Sequence, residues 1–267
     1  MDAACLIGSG RCCAGAEPQM LRRREGVRVK MTIEGRSVEL FPSTRPGAPL
    51  VLLNAGHGEG EVVRDQIAAE TRAEFSLACI GDIDWDDELT PWPAPSAFSN
   101  QPPYGGGADA YLRALTNRVL PQIVETLGVP PRYVALAGYS LAGLFALYAM
   151  YRTDAFSRFA SASGSVWYPG FVEYALSHAP VRRPDRVYLS VGDREARTRN
   201  AAMRPVEESA RRLWRAYRAM DMNAAFELNP GGHFDQVTWR IARAVAWLLE
   251  DGEARPGTAS DARDAIQ

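Results

Sequence analysis

The sequence predicts an α/β domain with a mainly parallel central sheet and helices on both faces. Short apolar segments alternate with longer amphipathic segments over most of the 267 residues, and this alternation is typical of parallel strands joined by helical crossovers. A hydrophobic content of 46% and a charged content of 23% are ordinary for a globular protein with a sizeable core. The length suits a single large domain of this class.

The first half of the chain is expected to open with an antiparallel pair of strands. Two short apolar runs flank a turn at Glu34, Gly35 and Arg36, as in a hairpin. A glycine-rich turn, AGHGEG, comes later, directly after a buried strand. The expected elements are strands at 27–33, 37–41, 49–54 and 75–80, a helix near 60–73 and a long irregular segment at 81–106.

The second half continues the alternation of strands and helices. Apolar residues share one face of a helix at 107–127, which Pro121 is expected to kink. The other expected elements are strands at 132–138, 158–164, 186–192 and 224–230 and helices at 141–151, 203–220 and 234–250. The expected divisions are a weakly structured extension at 1–27, the domain at 28–250 and a flexible tail at 251–267.

One apolar stretch, ALAGYSLAGLFAL at 135–147, carries a serine between glycines. In a G-x-S-x-G elbow the serine occupies a strained turn between strand and helix, and small flanking residues let the two elements cross closely. Ala142 stands at the fifth position here, which still keeps the contact small. A buried structural serine is the alternative, but the strand before and the helix after favour Ser140 as a nucleophile.

A serine nucleophile needs a base to take its proton. In folds with this elbow the partners follow in the order serine, acid, histidine. His233 lies between the last expected strand and the last helix, where that order places the base. A solvated loop histidine, or one that caps the last helix, is the alternative interpretation.

The acid that orients the imidazole is expected just after the strand at 186–192. Glu195 is three residues beyond Gly192, the usual spacing, and we favour it. Asp193 follows the same strand and stays open as the alternative.

An oxyanion that forms at the substrate carbonyl needs two backbone N–H donors. Leu141, the residue after the serine, is expected to supply one. The other would come from the turn after the strand at 49–54, through Gly56 or its neighbour Ala55. Gly56, Gly58 and Gly60 are also explained by a plain tight turn without a role in catalysis.

The stretch at 135–171, followed by VYLSVGDRE and GGHFDQ, resembles the putative-esterase branch of the α/β hydrolases, which includes esterase D and the enterochelin esterases. This resemblance implies an α/β-hydrolase fold and a serine carboxylester hydrolase without a metal or organic cofactor. It supports Ser140 and His233 and bears only loosely on the acid, because members vary there. It does not indicate the substrate.

The 81–106 segment follows a strand, so it is expected at the carboxyl edge of the sheet, where ligands bind in α/β folds. It would be the main lid, because the segment between the strands at 158–164 and 186–192 is too short for a large cap. Its aromatic residues either line a pocket or anchor the loop to the domain. The residues predicted to contact substrate are Tyr139, Trp167, Tyr168, Trp85, Trp92 and His57.

The same segment carries aspartates at 82, 84 and 86, the one-three-five spacing of a calcium loop. Asp87 stands where such a loop needs glycine, and Pro93 where it needs glutamate. We therefore predict no metal site.

The charge and the cysteine content indicate which binding partners and which cellular compartment to expect. A net charge of −2 gives no general attraction to nucleic acid or to an anionic membrane. The chain has no apolar run long enough for a transmembrane helix. Its four cysteines do not form a disulfide framework, which fits a reducing compartment. The expected protein is cytoplasmic with a small-molecule ester as its partner, and its oligomeric state is left open.

The leading hypothesis is a carboxylesterase that acts on a small or medium ester through an acyl-enzyme. An acyltransferase or a peptidase would use the same fold and triad. A non-catalytic binding protein is the alternative from a different class.

Overall fold

A single β-sheet runs through the centre of the computed structural model, which describes residues 27–56 and 58–251. In this part of the chain the sheet has eight strands in the order β1-β2-β4-β3-β5-β6-β7-β8. The first two pairs along that order are antiparallel and the rest are parallel. The strands are β1 (Val29–Ile33), β2 (Arg36–Phe41), β3 (Leu50–Asn54), β4 (Ser76–Ile80), β5 (Val134–Tyr139), β6 (Arg158–Ala162), β7 (Arg186–Gly192) and β8 (Ala224–Asn229).

Helices cover both faces of this sheet. They are α1 (Gly60–Glu70), α2 (Trp85–Glu88), α3 (Ala108–Ala114), α4 (Leu120–Leu127), α5 (Leu141–Ala149), α6 (Phe171–Ser177), α7 (Val206–Ala219) and α8 (Val237–Leu249). On β3, Leu52 joins the buried cluster that contains Phe145 of α5. Its neighbour Leu53 joins the opposite cluster with Ile67 of α1 and Val245 of α8. Because both faces are buried, the central strands consist mainly of apolar residues.

The helix expected at 107–127 is interrupted as Pro121 requires. Between α3 and α4 the residues Leu115–Val119 form a π-helical turn, and the Leu120 N–H donates to the Leu115 carbonyl, five residues back. Proline has no N–H to donate and crowds the preceding turn, and a π-turn accommodates such a defect.

Several strand boundaries differ from the expected ones by one or two residues, and two of these differences lie close to Ser140. β6 ends at Ala162 because Ser163 has a φ of +45°, outside the strand region. β5 extends to Tyr139, so the sheet continues to the residue before Ser140. The connection between β6 and β7 contains only the short α6, and no large cap is built there.

Residues 1–26 and 252–267 lie outside the described residues, so the predicted extension and tail fall there almost entirely. None of the helices in the described part of the chain has the length and hydropathy needed to span a bilayer.

Candidate active site

Ser140 occupies a strained position between the central strand β5 and helix α5. Its backbone has φ +55° and ψ −121°, a conformation that is costly for a residue with a Cβ. A Cβ added at Gly138 would lie 2.3 Å from the backbone carbonyl atoms of Ala142. Glycine is therefore required for strand and helix to cross this closely.

The position of β5 in the sheet brings the serine to the middle of its carboxyl edge. β5 pairs in parallel with β3 on one side and β6 on the other. Leu141 is the first residue of α5, and N–H groups of a first helical turn have no acceptor within the helix. The Leu141 amide thus has the position predicted for an oxyanion donor.

His233 lies in the loop between β8 and α8 and meets the serine hydroxyl. Its Nε2 is 3.0 Å from Ser140 Oγ, and its Nδ1 is 2.8 Å from Glu195 Oε2. A carboxylate only accepts hydrogen bonds, so Nδ1 carries the ring proton and Nε2 is left as the acceptor. The imidazole is thereby oriented to take the proton of Ser140.

Glu195 follows β7 and opens a short 3-10 helix. Its second oxygen, Oε1, accepts from the Gly192 N–H at 2.6 Å and from Arg240 Nη1 at 2.9 Å. Burial by itself would raise the pKa of Glu195, but the hydrogen bond and charge of His233 and the Gly192 amide outweigh it, so the pKa lies below its usual value. The carboxylate stays ionised beside the imidazole.

Asp193, the alternative acid, instead holds the backbone of the histidine loop. Its Oδ1 accepts from the Gly231 N–H at 2.8 Å. Asp235 Oδ2 accepts from the Gly232 N–H at 2.7 Å. The two carboxylates thus hold the amides of the two loop glycines. Of the two candidate acids, the structure brings Glu195 to the imidazole.

Tyr139 lies beneath the same loop. Its side chain is buried, and its hydroxyl donates to the His233 carbonyl at 2.5 Å. Burial raises the pKa of Tyr139, so the phenol keeps the proton that it donates. The structure gives Tyr139 a supporting position, and its predicted substrate contact stays a prediction.

Two of the predicted oxyanion donors are already engaged. The Ala55 N–H donates to the Ile80 carbonyl at 3.0 Å, which extends the sheet pairing by one residue, so this amide is not open to a substrate oxygen. The Gly56 N–H donates to Glu59 Oε2 at 3.0 Å. Gly56 is therefore the better candidate of the pair, provided that the Glu59 side chain moves. His57 lies outside the described residues.

Most of the predicted aromatic contacts anchor the 81–106 segment. Trp92 Nε1 donates to the Pro169 carbonyl at 2.9 Å, and the buried Tyr168 hydroxyl donates to the Trp92 carbonyl at 2.6 Å. Trp85 opens α2 and packs partly buried against the core. Trp167 is also half-buried, and its ring centroid lies 6.4 Å from that of Tyr168; its predicted substrate contact stays a prediction.

The aspartates of the 81–106 segment lie in or next to the short helix α2. Asp84 accepts from the Asp87 N–H at 3.2 Å and so caps the helix. Across residues 27–56 and 58–251 the structure has no group of three His, Cys, Asp or Glu side chains arranged to hold a metal ion.

Sequence reasoning missed two residues of the site. Ser165 places its Oγ 3.3 Å from Ser140 Oγ, and its N–H donates to the Ser140 carbonyl at 3.0 Å. Arg240, on α8, is fully buried beside Glu195. Ser165 belongs to the SASGSVWY stretch, which carried part of the family resemblance, but no spacing rule gave it a role.

Comparisons with known proteins agree with this architecture. A family model described as Putative esterase matches residues 55–242. Siderophore hydrolase EstA from Aspergillus nidulans superposes with a TM-score of 0.67 at 19% identity, over 90% of this chain and 99% of that one. The BES protein from Bacillus cereus gives 0.63 at 18% identity, over 89% and 100%. Enterochelin esterase from Shigella flexneri gives 0.62 at 20% identity, over 85% and 59%.

These identities show the fold alone, and they confirm the predicted α/β-hydrolase architecture. A search of curated protein sequences gives no match.

Proposed function

The chain belongs to the Putative esterase family, and from that premise we propose that it hydrolyses carboxylic esters through an acyl-enzyme on Ser140. One observation carries the proposal: a continuous hydrogen-bonded path from Ser140 Oγ through His233 to Glu195, with distances of 3.0 and 2.8 Å. Nucleophile, base and acid each come from a different loop at the carboxyl edge of the sheet.

In the first half of the reaction His233 Nε2 takes the proton from Ser140 Oγ as that oxygen attacks the ester carbonyl carbon. Glu195 stabilises the imidazolium that forms. When the tetrahedral intermediate collapses, the imidazolium gives its proton to the leaving alkoxide, and the alcohol departs. Water then attacks the acyl-enzyme by the same sequence, which releases the acid and restores Ser140.

The charge on the tetrahedral oxygen is assigned to the N–H groups of Leu141 and Gly56. Leu141 is already at the start of α5, where the helix dipole also favours negative charge. Gly56 can donate only after its bond to Glu59 Oε2 is exchanged for one to the substrate. Each step uses side chains and amides of this chain together with water.

The substrate is proposed to be a small or medium ester. Several structures with the same fold are named for siderophore or enterobactin hydrolysis, so a siderophore ester belongs in the substrate panel. We also propose a cytoplasmic location, on the ground that the spacing of the four cysteines does not suggest a disulfide framework. Acyl transfer and peptide cleavage would use the same residues, and a competing alcohol or amine acceptor separates them from hydrolysis.

The test is active-site labelling. A fluorophosphonate probe should label the wild-type protein on the peptide that contains Ser140, and p-nitrophenyl esters should be hydrolysed. Ser140→Ala should lose both signals while its circular dichroism is unchanged. Ser157→Ala changes a buried serine directly before the amino end of β6, away from the carboxyl edge of the sheet. It is the matched control and should keep both signals. A folded wild-type protein that takes up no probe and cleaves no ester overturns the proposal in favour of a binding protein.

A further inference from the structure

Arg240 is a fully buried arginine in the α8 helix, which packs against the sheet. A guanidinium keeps its charge at all relevant pH values, and a buried charge is costly unless it is paired and hydrogen-bonded. The partners of Arg240 therefore show what the chain uses this costly group for.

Those partners all belong to the catalytic edge of the sheet. Arg240 Nη1 donates to Glu195 Oε1 and to Ser163 Oγ, each at 2.9 Å, and lies 3.4 Å from the Tyr139 hydroxyl. Arg240 Nη2 donates to the Pro230 carbonyl at 2.9 Å. One side chain thus ties together the ends of β5, β6 and β7 and the start of the histidine loop.

These contacts give the two oxygens of the Glu195 carboxylate different partners. Oε2 faces His233, whereas Oε1 is held by Arg240 and by the Gly192 N–H. The carboxylate cannot rotate without breaking bonds on both oxygens. Tyr139 extends the connection, because its hydroxyl donates to the His233 carbonyl.

The backbone leaves room for the guanidinium. A Cβ added at Gly192 would lie 2.8 Å from Arg240 Nη2 and 2.3 Å from the Gly231 carbonyl oxygen. Glycine at the end of β7 thus lets the acid loop, the histidine loop and Arg240 meet at one point.

We infer that Arg240 is a positioning residue, which locks the Glu195 carboxylate and the His233 loop into one arrangement and offsets part of the carboxylate charge that the imidazole experiences. This inference rests on the proposed reaction at Ser140. Arg240 acts through Glu195 and Tyr139 and does not contact Ser140.

The charges around this point set the sign of the expected effect. The imidazole faces the carboxylate of Glu195, and the same loop carries Asp235, paired with Arg194 at 3.0 Å. Asp193, the neutral phenol of Tyr139 and Arg240 itself also contact this loop. Without the Arg240 charge, the negative charge of the Glu195 carboxylate would be less neutralised. It would therefore favour the imidazolium form of His233 more strongly.

The test combines a histidine titration with kinetics. The chain has three histidines, so the pKa of His233 is measurable by NMR, with His233→Gln assigning the signal. In Arg240→Met the histidine signal should titrate at a higher pH than in the wild-type protein at low ionic strength, because the carboxylate of Glu195 is no longer partly neutralised. The kcat for p-nitrophenyl esters should fall about 10- to 100-fold with KM within about threefold, as expected for a misplaced catalytic group.

Two further variants separate positioning from packing. Arg240→Lys keeps the charge and loses the forked hydrogen bonds, so the pKa of His233 should return to the wild-type value while kcat stays low. Arg186→Met removes another buried arginine, which donates to the Trp247 carbonyl of α8 at 2.8 Å. It should lower the melting temperature without moving the pKa of His233 or kcat. If Arg240→Met does not fold, Arg240→Lys and Tyr139→Phe carry the test, and each should lower kcat with KM nearly unchanged.

An unchanged His233 pKa in folded Arg240→Met, or a kcat loss no larger than that of Arg186→Met, overturns the inference. So does full activity in both Arg240→Lys and Tyr139→Phe. The titration does not depend on turnover. A wild-type protein without esterase activity would therefore refute the proposed function, while the NMR result still decides whether Arg240 acts on His233.

Discussion

The carboxylate of Glu195 lies 2.8 Å from Nδ1 of His233. Asp193 is two residues earlier on the same turn, yet its Oδ1 accepts from the Gly231 N–H. The two acids thus act on the same loop in different ways. Glu195 contacts the imidazole, and Asp193 holds the backbone that carries it.

This division predicts unequal effects for two isosteric substitutions. Glu195→Gln should lower kcat by about 10³- to 10⁴-fold, because the neutral amide no longer stabilises the imidazolium or holds its tautomer. Asp193→Asn should cost much less, since the amide oxygen still accepts from Gly231. Steady-state kinetics on one p-nitrophenyl ester measures both. A larger loss in Asp193→Asn would assign the acid the other way.

The lowered pKa of Glu195 predicts how stability changes with pH. A carboxyl whose pKa is lower in the folded state contributes stability above its unfolded pKa and loses it as pH falls through the folded pKa. The wild-type protein should therefore lose unfolding free energy as pH falls below about 4.5, the ordinary value for this group. Glu195→Gln should show a smaller loss over the same range. Urea unfolding between pH 3 and 7 provides the comparison, and parallel curves would contradict the prediction.

The turn around Ser140 predicts that substitutions at Gly138 and at Ala142 have very different effects on stability and labelling. A Cβ at Gly138 would meet the backbone of Ala142 at 2.3 Å, so Gly138→Ala should destabilise the fold by about 1–3 kcal/mol and abolish probe labelling. Ala142→Gly, which restores the common elbow pattern, should keep labelling and cost about 1 kcal/mol of helix stability. An added Cβ would also lie 2.7 Å from the Ala142 Cβ, but its closest contacts are with backbone atoms, which remain in the double variant. That variant should therefore not regain labelling. Recovery in that variant would show that the Ala142 side chain causes the clash.

Local patterns were enough to predict the strand, turn and helix around Ser140 and the place of His233. The choice between Glu195 and Asp193 was not local, because both follow β7 and only packing decides which one faces the imidazole. The burial of Arg240 could not be predicted from the sequence, because an arginine on an amphipathic helix is normally solvated. Its burial becomes visible only when β5, β6 and β7 meet α8. The end of β6 was misjudged by two residues because Ser163 adopts a positive φ that its neighbours do not signal.

The contact between Ser165 and Ser140 predicts a further contribution to the reaction. At 3.3 Å the Ser165 hydroxyl is the only side-chain hydrogen-bond contact of Ser140 Oγ besides the imidazole in the described residues, and we expect it to help orient the nucleophile toward His233. Its removal in Ser165→Ala should lower kcat roughly tenfold, the value of about one hydrogen bond. Probe labelling should persist at a slower rate, because the bond from Ser140 to His233 remains.

Ser161 provides the control for this last variant. It lies on β6, four residues before Ser165, and is buried, but its hydroxyl has no hydrogen-bond partner among residues 27–56 and 58–251. Ser161→Ala should therefore leave both kcat and the melting temperature near the wild-type values. If both serine variants lose activity equally, the effect of Ser165→Ala is due to packing of the β6 end. If only Ser165→Ala slows acylation, its hydroxyl acts on the nucleophile itself.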